Sequence, residues 1–118
     1  IGLQLLGLGA NGHVGFNEPP CGPKQRCHVV TLSETTRRQN ASMFGGNPAA
    51  VPHQAITLGV AEILSARDIH LVVTGRSKAP ILARLLEMQR PDPSLPASWL
   101  LEHQRVQLWA DAEALSLA

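Results

Sequence analysis

The chain has 118 residues, 44% hydrophobic and 16% charged, with a formal net charge of +1; that suits one modest domain with its own core and excludes a disordered segment. A balance so near neutral, no basic run longer than Arg37-Arg38, and only 3% aromatic residues exclude a polyanion-binding surface or base-stacking platform, so no nucleic acid partner is expected. No apolar run approaches the ~20 residues of a membrane span and no charged-then-apolar signal segment opens the chain, so a cytoplasmic location and no membrane partner are expected.

Ile1 starts inside an apolar run without an initiator methionine, which suggests that residues 1–118 form a single partial domain of a longer protein. Residues 1–7 have the length and branching of a buried strand. The chain then breaks into Gly7, Gly9, Gly12 and Gly15, with Asn11, His13, Asn17 and Glu18 among them, a loop read over residues 8–23. Cys27 to Leu32 is rich in β-branched residues and reads as a short strand. Thr31-Leu-Ser-Glu34 has the form of a capping box opening a helix to about Phe44, ended by Gly45-Gly46-Asn47-Pro48.

Residues 55–58 read as a short strand, 60–64 as a helical turn, and Ile69 to Thr74 as the clearest buried strand. From Ser77 onward Ile81, Leu82, Leu85 and Leu86 recur on one helical face, with Pro80 in the first turn where a missing amide hydrogen costs little. Pro91-Asp-Pro93 and Pro96 form a rigid linker, residues 97–103 a short helix, and residues 106–110 a last strand. The alternation predicts an α/β fold, a three-layer Rossmann-like sandwich with a mostly parallel sheet. Strands near 1–7, 55–58, 69–74 and 106–110 are expected in one sheet, covered by helices over 33–44 and 77–88.

The glycine-rich loop carries the chemistry. A loop of this kind at the carboxyl end of a strand is where open α/β sheets hold ligands, and here it places an imidazole and a carboxylate five positions apart, His13 and Glu18, suited to proton transfer. Gly7-x-Gly9-x-x-Gly12 also has the spacing of a dinucleotide fingerprint, but that motif needs a helix at its third glycine and an acid about 20 positions on. His-Val-Gly-Phe-Asn-Glu-Pro-Pro follows instead, and Cys27 to Leu32 holds no acid. The two cysteines, Cys21 and Cys27, read as free thiols, and with His13 and His28 they match no standard zinc spacing. No cofactor and no metal is expected. His53, His70 and His103 read as surface or structural histidines, and Met43, Met88, Trp99 and Trp109 as packing residues.

Leu-Gly-Leu-Gly-Ala-Asn-Gly-His-Val-Gly-Phe-Asn-Glu-Pro resembles the signature loop of the glucosamine-6-phosphate deaminase/galactosamine-6-phosphate isomerase family. The resemblance continues in collinear order through Val30-Thr-Leu, Asn40-Ala41, Val51-Pro52, Ala55-Ile-Thr-Leu-Gly59, Ala66-Arg67, Val73-Thr-Gly75, Lys78-Ala79, Pro96-Ala-Ser98 and His103. The related 6-phosphogluconolactonases share the glycine–histidine core but typically continue with a Ser-Leu-Phe-Pro type of sequence where this chain has Gly15-Phe-Asn-Glu-Pro19.

The resemblance implies an enzyme of amino-sugar catabolism acting on a sugar phosphate, converting glucosamine 6-phosphate to fructose 6-phosphate and ammonia. It implies His13 as the ring-opening acid–base group, Glu18 as the carboxylate that orients and polarises it, and Asn11 as a neutral positioning group. Lys78 matches a phosphate contact, against a bland reading as a surface lysine, and Gly12, Ser42 and Arg76 complete the expected substrate-binding set. The family's usual arginine after Asn-Ala is Ser42 here, and basic residues of members with an N-acetylglucosamine 6-phosphate allosteric site are replaced by His28-Val29-Val30, so that allosteric site is not expected. The family's proton-transfer aspartate and phosphate loop fall outside these residues. A homo-oligomer is expected for the full-length protein. Alternative readings are a galactosamine-6-phosphate deaminase/isomerase, then a 6-phosphogluconolactonase-like hydrolase, and an inactive fragment or sugar-phosphate-binding module.

Overall fold

A computed structural model describes residues 1–118. In chain order the elements are β1 (Leu3–Gly7), β2 (His28–Thr31), α1 (Glu34–Gln39), β3 (Gln54–Thr57), α2 (Val60–Leu64), β4 (Asp68–Val73), α3 (Ala79–Glu87) and β5 (Val106–Ala110). Short 3-10 segments at Ala41–Phe44, Pro48–Ala50, Arg76–Lys78 and Pro96–Glu102 join them.

The main sheet has three parallel strands in the order β1-β4-β5, with Leu6 opposite Leu71, and Leu71 opposite Leu108. Apart from Gln4 at the start of β1, its inner face is apolar at every second residue. Leu6, Ile69, Leu71 and Val73 share one core with Ile63 of α2, with Ile81, Leu82 and Leu85 of α3, and with Leu95, Ala97 and Leu100. Ile69, Leu82 and Leu95 are completely buried. The alternate positions Leu3, Leu5, Val72 and Trp109 on the other face are exposed. The Rossmann-like α/β architecture with a mostly parallel sheet is thus present. Of the three expected layers, these residues build the sheet and one helical layer.

The strand at 54–57 is not in the main sheet as expected. It pairs antiparallel with β2, with Val30 opposite Ala55, in a separate two-stranded sheet. Only one face of this ribbon is buried: Val30 and Thr57 lie inside while Val29 and Ile56 point outward. Both faces of the ribbon carry apolar residues, so its pairing is decided by the edge that β2 offers and not by composition.

Four further details differ. The helix expected over 33–44 is α1 plus the 3-10 turn at Ala41–Phe44, which closes on Gly45 in the left-handed region. Its N-cap is Ser33, whose hydroxyl accepts from the amide of Thr36, so Thr31 is not the capping residue. In α3, Ala79, Ile81, Leu82 and Leu85 face the core, whereas Leu86 is half exposed. Leu86 lies about 100° round the helix from Leu85, past the edge of the buried stripe. The expected short helix at 97–103 is the 3-10 segment.

Candidate active site

The loop after β1 folds back on itself. The amide of Gly9 donates to the carbonyl of His13 at 3.0 Å, and the amide of Gly12 donates to the carbonyl of Gly9 at 2.9 Å. Two glycines are required by this geometry. Gly12 has φ +86°, and a Cβ there would meet Leu95 Cδ1 at 2.5 Å. A Cβ at Gly9 would run into the His13 ring, so that glycine is the space in which the imidazole lies.

The other end of the fold holds the loop down. Ala97 N–H donates to Gly12 O at 2.9 Å, Cys21 N–H to Pro93 O at 2.9 Å, and Trp99 Nε1–H to Cys21 O at 2.7 Å. Trp99, expected only to pack, therefore fixes the loop through its indole N–H. Inside the loop, Asn17 is fully buried and its amide donates to Val14 O and Leu58 O, each at 2.9 Å.

His13 and Glu18 come together, as the motif predicts. Their side chains are 12% and 17% exposed, and His13 Nδ1 lies 4.0 Å from Glu18 Oε2. That is an electrostatic contact, too long for a hydrogen bond, and His13 Nδ1 is buried without another partner. Asn11 bridges the two: its Oδ1 accepts from the His13 amide at 3.2 Å, and its Nδ2 donates to Glu18 Oε2 at 2.5 Å. The other carboxylate oxygen, Oε1, accepts from Thr36 Oγ1 at 2.6 Å.

Burial pushes the His13 imidazole below its ordinary value; the Glu18 carboxylate opposes this, and the Lys78 ammonium adds to it. The ring is consequently neutral at physiological pH, able to accept a proton and return it. Lys78 sits just before α3 and donates through Nζ to Leu8 O at 2.6 Å. Burial lowers its ammonium pKa as well, because a charge kept partly from water is disfavoured.

His13 and Lys78 share a cleft of about 310 Å³ at the carboxyl end of β1, walled also by the backbone of Gly7 to Gly9 and by Gln39 and Asn40. The volume is in the range of small-molecule sites. Gln39 and Asn40, from the end of α1, form a wall that sequence reading did not assign. The match at Asn40-Ala41 pointed to this segment, but at its following residue. Ser42 is exposed and not part of the cleft wall, nor is exposed Arg76. The Gly12 amide is used within the loop, which makes it a loop-shaping residue.

The remaining histidines and cysteines stand apart. His103 joins the carbonyl of Ala66 through Nε2 at 2.7 Å and accepts from the Arg105 amide at 2.9 Å, a structural role. His70 accepts from Trp109 Nε1 at 2.9 Å. Cys21 is buried and Cys27 exposed, both as free thiols.

Comparisons with known proteins bear on the family and the fold. A family model described as glucosamine-6-phosphate isomerases/6-phosphogluconolactonase matches residues 1–109. A glucosamine-6-phosphate deaminase of Geobacillus sp. (strain WCH70) is 48% identical over 117 residues, 99% of this chain and 46% of the relative. A solved structure of a monomeric glucosamine-6-phosphate deaminase of the NagB superfamily matches with a TM-score of 0.94 at 46% identity, over 98% of this chain and 47% of that one. A 6-phosphogluconolactonase from Trypanosoma brucei, at 24% identity and a TM-score of 0.72 over 97% of this chain and 41% of that one, shares the fold. The chain spans about half the length of the relatives it matches.

Proposed function

This chain belongs to the glucosamine-6-phosphate isomerase/6-phosphogluconolactonase family, and from that premise we propose that it is the ring-opening portion of an amino-sugar 6-phosphate deaminase/isomerase. The full-length enzyme would convert glucosamine 6-phosphate to fructose 6-phosphate and ammonia. The observation that carries this reading is the partly buried His13–Glu18 pair on the glycine loop, with His13 lining the same cleft as Lys78.

The chemistry follows from the charges. Neutral His13 takes the proton of the anomeric hydroxyl while the bond between the anomeric carbon and the ring oxygen breaks. It then returns that proton to the ring oxygen, leaving an open-chain aldehyde. In between, the imidazolium is stabilised by Glu18, whose carboxylate lies 4.0 Å away on the Nδ1 side. Asn11 holds that carboxylate without adding charge. Lys78, with its ammonium beside the cleft, supplies the positive charge for a phosphate.

Moving a proton between the first two sugar carbons needs a further base, which we assign to the part of the protein corresponding to the rest of the relatives' length. Residues 1–118 are accordingly one portion of a larger domain. We place the protein in the cytoplasm, where phosphorylated sugars are retained and where Cys21 and Cys27 remain thiols; no helix is long and apolar enough to cross a membrane. A homo-oligomer remains the expectation for the full-length protein, although the solved relative at 46% identity is monomeric.

The test is steady-state release of ammonia and fructose 6-phosphate by the full-length protein, with glucosamine 6-phosphate, galactosamine 6-phosphate and 6-phosphogluconolactone compared. Turnover of glucosamine 6-phosphate above the other two supports the reading. Preference for the galacto epimer moves the assignment to that branch, and lactone hydrolysis without ammonia release overturns it.

A further inference from the structure

Glu18 is held from a second element that the loop motif does not contain. Thr36, on α1 and only 1% exposed, donates through Oγ1 to Glu18 Oε1 at 2.6 Å, eighteen positions along the chain. Ser33 Oγ lies 3.0 Å from Thr36 Oγ1 and 3.5 Å from Glu18 Oε1, and accepts from the Thr36 amide at 3.1 Å. A hydroxyl has one proton to give. With Thr36 giving its own to Glu18, its lone pairs accept from Ser33, and the three groups form a directed chain ending on the carboxylate.

The carboxylate is therefore clamped at both oxygens: Asn11 at Oε2 and Thr36 at Oε1. The first contact comes from the catalytic loop itself. The second comes from the helix whose end, Gln39 and Asn40, walls the cleft. We propose that Thr36 is a positioning residue of the active site: it fixes the rotation of the Glu18 carboxylate so that Oε2 faces His13 Nδ1, and it links the order of α1 to the acid–base pair. Thr36 touches no reacting atom. Its hydroxyl is where a half-buried carboxylate gains a charge-assisted hydrogen bond, the kind that sets geometry as well as energy.

This inference rests on the reading of Glu18 as the partner of His13, and the experiment separates the two. The charged groups facing His13 are Glu18 from its own loop and Lys78 from the start of α3; Asn11, Ser33 and Thr36 are uncharged. In the full-length protein, Thr36→Val, Thr36→Ser and Ser33→Ala are compared with wild type. The readouts are steady-state kinetics on glucosamine 6-phosphate and an NMR titration of the His13 imidazole.

Thr36→Val is expected to lower kcat about tenfold, the size of one lost charge-assisted hydrogen bond, with KM changed less than about twofold. The His13 titration should move to lower pH, because a loosened carboxylate exerts less field on the ring. Thr36→Ser keeps the hydroxyl and should restore both readouts. Ser33→Ala should shift the titration in the same direction by less, and it carries the test if Thr36→Val does not fold. An unchanged His13 titration in Ser33→Ala and in any folded Thr36→Val, with kcat preserved, overturns the positioning role. Loss of activity in His13→Gln beside that result leaves the acid–base reading standing. Full activity in His13→Gln removes the reading of the pair, and the role of Thr36 with it.

Discussion

Lys78 Nζ donates to the carbonyl of Leu8 at 2.6 Å, tying the start of α3 to the first turn of the glycine loop across seventy positions of sequence. A lysine free in solvent would gain little from one carbonyl. Here the bond places the ammonium at the edge of the cleft, where the proposed function has it meet a phosphate. Lys78→Met, which keeps the stem and removes the charge, is expected to raise KM for the sugar phosphate roughly 10- to 100-fold, the loss of one charged hydrogen bond of about 1.5–3 kcal/mol. Turnover at saturation should change much less. An unchanged KM would show that the phosphate is held elsewhere.

His13→Gln in the full-length enzyme is expected to slow turnover of the closed sugar by on the order of 10²–10⁴, the usual contribution of a general acid–base group. Glu18→Gln should cost less, because the imidazole remains and loses only its supporting charge. A pre-opened substrate analogue should be processed by His13→Gln at nearly the wild-type rate. Equal slowing of closed and opened forms would remove the ring-opening role.

The pH dependence of stability follows from the depressed His13 pKa. The unfolded chain takes up a proton near the ordinary value of 6.5, while the folded protein resists it because burial outweighs the pull of Glu18. Below pH 6.5 the unfolded state holds more protons, so stability falls as the pH drops and is fully present above that value. Urea midpoints measured at pH 7.5 and pH 5.5 should fall further for wild type than for His13→Gln. The acid limb of kcat/KM should likewise lie below pH 6.5, since a neutral ring is needed.

Gly12→Ala is expected to destabilise the protein by about 2 kcal/mol. The left-handed backbone at φ +86° costs an L residue of order 1–3 kcal/mol, and the added methyl meets Leu95. Since Leu95 is fully buried, it has little room to yield. Thermal melts of the two proteins test this. An unchanged melting temperature would mean that the loop can adopt another path.

The resemblance implies an arginine at the position of Ser42, whose short side chain is exposed, outside the cleft wall. An arginine at that place has a long reach and a two-pronged donor. Ser42→Arg in the full-length protein is expected to lower KM for the 6-phosphate about tenfold with little change in kcat. Arg76, exposed two residues before Lys78, is tested in parallel by Arg76→Ala. If neither substitution moves KM, the family's phosphate geometry does not extend to this chain.

The parts legible in the chain are those whose signal is local. Glycines interleaved with His13 and Glu18 mark a ligand loop, because few other residues tolerate such backbone turns. The apolar stripe of Ile81, Leu82 and Leu85 marks α3, and Ile-His-Leu-Val-Val-Thr marks a buried strand, because each pattern carries its own period. Long-range contacts set the rest. The partner of β3 is β2 and not the main sheet, since strand pairing depends on which edge another segment offers. The cleft wall at Gln39 and Asn40 and the clamp of Thr36 on Glu18 depend on where α1 docks. A threonine on a short helix carries no mark of the carboxylate it will meet. Only the folded chain, by burying that hydroxyl beside Glu18, gives it a task.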